Sequence, residues 1–237
     1  MRMNLDDRVV VVTGASSGIG AAVSVEVARR GATVGLIARR LDRLERVARE
    51  VEAAGGAAHV FEVDVRDSAR LTRAIDDFAG QQGRLDVLVN NAGYGYWERV
   101  ADADPDEWRK EVEINLIAPM YATRAALTHM IAAGHGHIVN VSSMASRGPT
   151  SHGAGYAASK AGLNIFSDSV LVDLNRQGIK TTLVETGEVA TEMQTPDDIA
   201  SMKMLDATDV ADAIVYALTR PDHVCVNDIQ LFAPKTA

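Results

Sequence analysis

Three side chains in one stretch of this 237-residue chain are of the right types to move a proton together. Residues 140–160, NVSSMASRGPTSHGAGYAASK, begin β-branched, loosen into Gly, Pro and Ser, and re-enter helix-like sequence near Gly155. Tyr156 and Lys160 stand four apart there, so a helix projects them from one face, one turn apart. A free phenol ionises near ~10 and is a poor proton donor or acceptor at neutral pH. A cation held nearby favours the phenolate, and a shift of roughly three units corresponds to about 4 kcal/mol. Ser143, on the strand-end side, brings a hydroxyl to the same place if the loop folds back. Tyr and Lys at helical spacing are also the mark of an amphipathic surface pair, so the elements around them must decide.

Those elements alternate. Residues 8–13 form a β-branched run, the pattern of a strand buried on both faces of a parallel sheet. It enters a glycine-rich turn, Gly14 to Gly20 with GxxxGxG spacing, and then a helix over 21–30 that Gly31 ends. Strand, glycine turn and helix N-terminus make a pyrophosphate cradle, the alternative being a plain tight turn. A second strand over 32–37 is followed by Ala38, Arg39 and Arg40. An acid at this point would accept bonds from an adenine ribose, and this chain has none. Arg39 can form a bidentate pair with a 2′-phosphate, which favours NADP(H) over NAD(H); solvated positions opening a helix over 41–54 are the other reading.

A strand over 59–64 ends at Asp64, which suits either a bond to the adenine amino group or a cap on a helix over 67–82. A strand over 85–89 leads to Asn90-Asn91-Ala92-Gly93, where the amides tie strand ends together or bond a ribose. The aromatic tract 94–100 lines a pocket or packs on the core. A helical region over 105–133 carries Asn115 among apolar neighbours. A buried helical Asn needs partners, and a local distortion of the helix that holds a water would be one solution, a partly exposed Asn being the other reading. Further on come a strand over 137–141, a helix over 155–177, a strand over 180–184, a helix over 208–219 capped by Thr208, and a last strand over 223–231. Residues 187–207 read as a small substrate flap. Glu185 and Glu188 flank Thr186-Gly187 as solvated carboxylates or as selectors of an amine-bearing substrate. The whole, 1–237, reads as one α/β domain with a parallel sheet.

Composition narrows the function. Net charge is −8 with no basic run longer than an arginine pair, which argues against nucleic acid. One cysteine, Cys225, precludes an intrachain disulfide, and six histidines show no metal-ligand spacing, so no metal is expected. The start lacks a signal-peptide core and the apolar runs are strand-length, so a cytoplasmic location without membrane contact is expected.

Taken jointly, Thr13-Gly14-Ala15-Ser16-Ser17-Gly18-Ile19-Gly20, Asn90-Asn91-Ala92-Gly93, Asn115, Ser143 and Tyr156-Ala157-Ala158-Ser159-Lys160 resemble the signature set of the short-chain dehydrogenases/reductases, in order and spacing. The resemblance implies a doubly wound Rossmann-type fold of about seven parallel strands with helices on both faces. It implies NAD(P)(H) bound across the strand ends, with a carbonyl or alcohol as substrate. Tyr156 would be the general acid or base, Lys160 would bond the nicotinamide ribose and lower the tyrosine's pKa, and Ser143, rather than Ser142, would hold the substrate oxygen. Asn115 would anchor a water in a proton relay. Gly14, Ser16, Ser17, Gly18, Ile19, Arg39, Arg40, Asp64, Val65, Asn91, Ala92 and Gly93 would line the nucleotide site, and Gly187, Val189 and Thr191 the nicotinamide side. A homo-oligomer, tetramer or dimer, is the family habit. Arg39-Arg40 and the 187–207 flap are similar to small NADP-dependent reductases of the clavaldehyde reductase and hydroxy-acid dehydrogenase kind. One departure is Thr186, where the family usually has proline; threonine restores an N–H and frees φ, so a more mobile or differently routed loop is expected.

Overall fold

The β-branched run that opens the chain becomes β1 (Val9–Thr13), and all five of its residues are buried. Val10 and Val12 face one side of the sheet and Val9 and Val11 the other, each side joining a separate apolar cluster. Strict alternation of side chains along a strand is the cause, and burial on both faces explains why no polar residue interrupts the run. The computed structural model describes residues 4–234, apart from the side chains at 200 and 201; the outermost ends of the expected 1–237 domain lie outside the described residues.

Six further strands follow: β2 (Thr33–Ala38), β3 (Ala57–Glu62), β4 (Val87–Asn90), β5 (Gly136–Ser143), β6 (Ile179–Thr186) and β7 (Asp228–Leu231). They form one seven-stranded sheet in the order β3-β2-β1-β4-β5-β6-β7, every pairing parallel. Helices α1 (Gly18–Ala28), α2 (Leu41–Ala53) and α8 (Ala207–Leu218) bury Val23, Val27, Leu44, Val47, Val210 and Ile214 on one face. On the other face α3 (Ser68–Gln82), α5 (Ala118–Ala133) and α6 (Ala154–Leu174) bury Leu71, Phe78, Ala122, Met130 and Val170. The sheet is therefore doubly wound in a single domain. Winding reverses after β3, so the carboxyl ends of β1 and β4 part company with their helices and leave a crevice between them.

Several element boundaries differ from the sequence pattern. The last strand is only 228–231, because 223–227 precede the pairing with β6. The helical region expected over 105–133, for which a break was allowed, is α4 (Pro105–Val112), a π-helical turn (Glu113–Ile117) and α5. That turn is the first of the two readings of Asn115. Helix α8 is capped by Asp206, in a reciprocal box with Asp209, and Thr208 lies inside it. The Asp209 carboxylate accepts from the Asp206 amide at 2.8 Å, and the helix starts one residue earlier than expected. The polar segment 192–207 contains a short helix, α7 (Pro196–Ser201).

At the opposite end of the sheet, Asp86 is buried and accepts from the Val9 amide at 2.9 Å, from Arg8 at 2.9 Å and from Arg84 at 2.5 Å. Burial alone would raise its pKa; the Arg84, Val9, Arg8 and His135 hydrogen bonds outweigh it and hold the carboxyl at about 2. This cluster locks the starts of β1, β4 and β5 together, far from the crevice.

Candidate active site

The β1–α1 turn is built by contacts that leave no room for side chains. Gly14 has φ +67°, and a Cβ on it would lie 2.8 Å from the Ala92 Cα; one on Gly20 would lie 2.4 Å from the Gly14 carbonyl oxygen. The turn is thereby pressed onto the end of β4. Thr13 Oγ1 accepts from the amides of Asn91 and Ala92, both at 3.1 Å. The Asn91 side chain donates to the carbonyls of Thr13 at 3.0 Å and Gly14 at 3.3 Å. Asn91 thus ties β1 to β4 with its amide nitrogen, while still lining the crevice. Ser17 precedes α1 but makes no capping bond, so the first amides of α1 have no side-chain partner there, an arrangement suited to an anion.

The Ser17 hydroxyl instead accepts from Arg40 at 2.8 Å, and Ser16 accepts from the same guanidinium at 3.0 Å. Arg40 also pairs with Glu192 at 2.8 Å, and Arg43 pairs with Glu192 as well. Arg40 is therefore a clasp between the glycine turn and the segment after β6. Arg39 is exposed, lines the crevice, and makes no hydrogen bond or ion pair among the described residues. Asp64 neither caps α3 nor stands free. Asp67 is the cap, accepting from the Arg70 amide, and Asp64 is held by Arg66 through its amide at 3.0 Å and its guanidinium at 2.6 Å. The Arg66 bond lowers the Asp64 pKa against the opposing effect of burial.

The other end of the crevice brings together the three side chains expected to move a proton. Ser143 closes β5 and Tyr156 lies in the first turn of α6; both line the crevice, and the serine hydroxyl is near enough to the phenol to favour its ionised form. Ser142 points elsewhere: it is buried and donates to Asn164 at 2.5 Å. Strand alternation separates the two serines, because one must face each side. Trp97 packs on the phenol at 5.2 Å between ring centroids. Lys160 is buried on the same helix face, and its ammonium donates to the Val141 carbonyl at 2.9 Å. Burial lowers the Lys160 pKa to about 8. Tyr156 does not show the depressed pKa expected from a neighbouring lysine. Burial pushes it up, the Ser143 hydroxyl opposes this, and the charge of Glu111 adds to the rise. The lysine nitrogen is 5.8 Å from the ring centroid and directed at a backbone carbonyl.

Asn115, fully buried in the π-helical turn, uses both amide hydrogens on protein groups, the Tyr94 carbonyl at 2.8 Å and Ser159 Oγ at 3.0 Å. Its Oδ1 accepts from the Tyr94 amide at 2.8 Å. A water relay would have to use the remaining Oδ1 lone pair or a backbone carbonyl, since the side chain already braces the 94–97 loop against α6.

Glu185 is not a solvated or substrate-facing acid. It is fully buried, accepting from Ser146 at 2.8 Å, Asn164 at 2.7 Å and Arg147 at 2.7 Å, so it fixes the turn Met144–Arg147 that follows Ser143. Glu188 is exposed. Thr186 remains in β6, opposite Ser143 and Leu231, and the Gly187 amide donates to the Leu231 carbonyl at 2.7 Å. The chain thus keeps the register of β6 through Thr186. Val189 then bridges to Leu205, closing the base of the excursion that carries Thr191, Glu192 and α7.

Two residues here had no signal strong enough to be singled out from sequence. Glu192 meets Arg40 across 152 positions, a separation no local pattern reports. Glu111 is one of a set, Glu107, Glu111 and Asn115, spaced by four; they grip Tyr94 Oη, the Tyr96 amide and the Tyr94 amide. That polar stripe at helical spacing was the available clue.

The crevice holds about 950 Å³ and is lined by Gly14, Ser16, Ser17, Gly18, Ile19, Arg39, Arg40, Asp64, Val65, Asn91, Ala92 and Gly93 at one side. Ser143, Tyr156, Lys160, Gly187, Val189 and Thr191 line it at the other, and only Asn115 of the expected site residues stands behind it. Among the described residues no group of three His, Cys, Asp or Glu side chains is placed to hold a metal, and no helix is long and apolar enough to cross a membrane.

Comparison with known proteins agrees with this geometry. The family described as short chain dehydrogenase matches residues 8–200. An uncharacterized oxidoreductase of Staphylococcus epidermidis is 32% identical over 225 residues, 95% of this chain and 96% of that protein. A metagenomic short-chain oxidoreductase solved in complex with NADP is 35% identical with a TM-score of 0.85, covering 95% of this chain and 97% of the other. An alcohol dehydrogenase from Thermococcus sibiricus, complexed with 5-hydroxy-NADP, is 26% identical with a TM-score of 0.87, covering 97% and 99%. A doubly wound sheet whose crevice is framed by these residues, and a family match along most of the chain, lead to one conclusion: this protein belongs to the short-chain dehydrogenase/reductase family of oxidoreductases.

Proposed function

We propose that the protein interconverts a carbonyl compound and an alcohol using NADP(H), with Tyr156 as the general acid or base. The observation that carries this reading is the meeting of Ser143, Tyr156 and Lys160 at one end of a crevice whose other end is a glycine-rich turn and an uncapped helix start. The Gly14–Gly20 cradle and the α1 amides fit a pyrophosphate, and Arg39 is the uncommitted cation for a 2′-phosphate. When bound, a nicotinamide supplies or accepts the hydride. Ser143 would hold the substrate oxygen and Tyr156 would hand it a proton as negative charge develops there, stabilising that charge through two converging donors. Lys160, whose pKa burial lowers to about 8, would remain mainly an ammonium at neutral pH, hold the nicotinamide ribose and keep positive charge on the side of the phenol. The NADP complexes of two relatives support the cofactor choice. Trp97, Met144, Pro149, Thr150 and Met193 along the substrate side favour a medium-sized, partly apolar carbonyl, with the segment 187–207 as its flap.

The test is oxidation of NADPH over a panel of aldehydes and ketones, alongside Tyr156→Phe. Turnover by wild type that the variant loses supports the assignment. Equal inertness of both, with cofactor still bound, would make the protein a nucleotide-binding module instead.

A further inference from the structure

Glu111 takes no part in the reaction just described, yet it is fully buried beside it. Its Oε1 accepts from the Tyr96 amide at 2.8 Å. Its Oε2 has no hydrogen-bond partner among the described residues. That oxygen lies against the amino end of α6: a Cβ added to Gly155 would sit 2.1 Å from it. Only glycine allows this approach. The helix end offers no other counter-charge, since Gly153 supplies no side-chain cap and the first turn contains no acidic residue. Unpaired first-turn amides leave partial positive charge there, and Tyr156 directly follows Gly155.

We propose that Glu111 is a positioning residue of this site, whose carboxylate counter-charges the amino end of α6 and biases Tyr156 toward its protonated, proton-donating form. The inference rests on the assignment of Tyr156 as general acid. A buried carboxyl oxygen without a partner is costly. Burial raises the Glu111 pKa, the Tyr96 amide lowers it and the charge of Glu107 adds to the rise, while the amino end of α6 is the positive field on the side of the unpaired oxygen. A phenolate forming one residue further along would then face a fixed anion in a water-poor setting, where charges interact strongly. Burial is the first cause of the raised Tyr156 pKa, and the Glu111 charge adds to it. The other groups around the phenol are Ser143 at the end of β5 and Lys160 on α6. Those around Glu111 are Glu107 and Lys110 on α4, with Tyr94 and Tyr96 on the loop across it; Glu107 and Lys110 pair with each other at 3.0 Å.

Two variants remove the charge differently, Glu111→Gln and Glu111→Leu. With an alcohol substrate, the rising limb of kcat/KM against pH is expected to move down by about half a unit or more, roughly threefold more activity at a fixed pH on that limb. A bracing role alone would lower kcat without moving the limb, and that result overturns the proposal. Ultraviolet difference titration of the phenol, wild type against Tyr156→Phe, reads the same group without turnover. It should ionise above the free-phenol value in wild type and lower in both variants. Ionisation of the wild-type phenol at or below the free value overturns the proposal even if neither variant folds. A variant-induced shift in a protein that turns over no carbonyl would support the role of Glu111 and refute the reaction.

Discussion

Replacing Arg39 by alanine should change cofactor choice and little else. The side chain is exposed, lines the crevice and makes no hydrogen bond or ion pair among the described residues, and Asp64, on which its charge acts, keeps Arg66, so its removal leaves no orphaned group. Opposite unit charges 4 Å apart in water attract by about 1 kcal/mol, so an exposed guanidinium facing a dianionic 2′-phosphate contributes about 2 kcal/mol. That is roughly thirtyfold in Kd. Titration of the protein with each nucleotide, followed by calorimetry or fluorescence, should show NADPH weakened by about that factor. NADH should stay within about twofold, and the NADPH difference should shrink as salt rises. Arg40 is the control, since its clasp on Ser16, Ser17 and Glu192 belongs to the site's framework; Arg40→Ala should weaken both nucleotides. Equal losses for both cofactors on Arg39→Ala, or no loss at all, would refute the reasoning.

Tyr156→Phe should lower turnover roughly 100- to 10,000-fold, the range of general acid–base catalysis, while nucleotide titration shows binding retained. Gly20→Ala places a Cβ 2.4 Å from the Gly14 oxygen; overpacking of this kind costs about 1–3 kcal/mol, visible as a lower Tm together with weaker nucleotide binding. The Asp86 carboxyl has a folded pKa of about 2, below the unfolded value near ~3.9. Its stabilisation is therefore complete above the unfolded value and is lost as pH falls from about 4 through 2. Discounted for half-exposed arginine partners, it amounts to about 2 kcal/mol. Asp86→Asn should lower stability by about that much at neutral pH and flatten the acid limb of denaturation, and an unchanged acid limb would count against the cluster.

The sequence by itself determined the layers and the seat of the chemistry. Buried strands such as β1 announce themselves because a strand covered on both faces favours a continuous apolar run, and glycines at 14, 18 and 20 announce a turn because nothing larger fits. Tyr156 and Lys160 were legible as a pair because helical spacing is local. At Asn115 the sequence offered a helix distortion or a partly exposed amide, and the fold takes the first as a π-helical turn that buries the side chain. Tertiary structure decided what each polar group does with its partners. Only the folded chain turns Ser142 inward to Asn164, hands Asp64 to Arg66, and closes Arg40 with Glu192. It also shows Glu185 buried under the Met144–Arg147 turn, where a sequence offers only an acid beside a strand end. Lys160 is directed at Val141 and Tyr156 lies under Trp97, so burial and not the lysine sets the phenol's pKa in this arrangement. The physical reason is range: periodicity and backbone sterics are read within a few residues. Hydrogen-bond partners and desolvation are set by chain segments brought together from up to 152 positions apart.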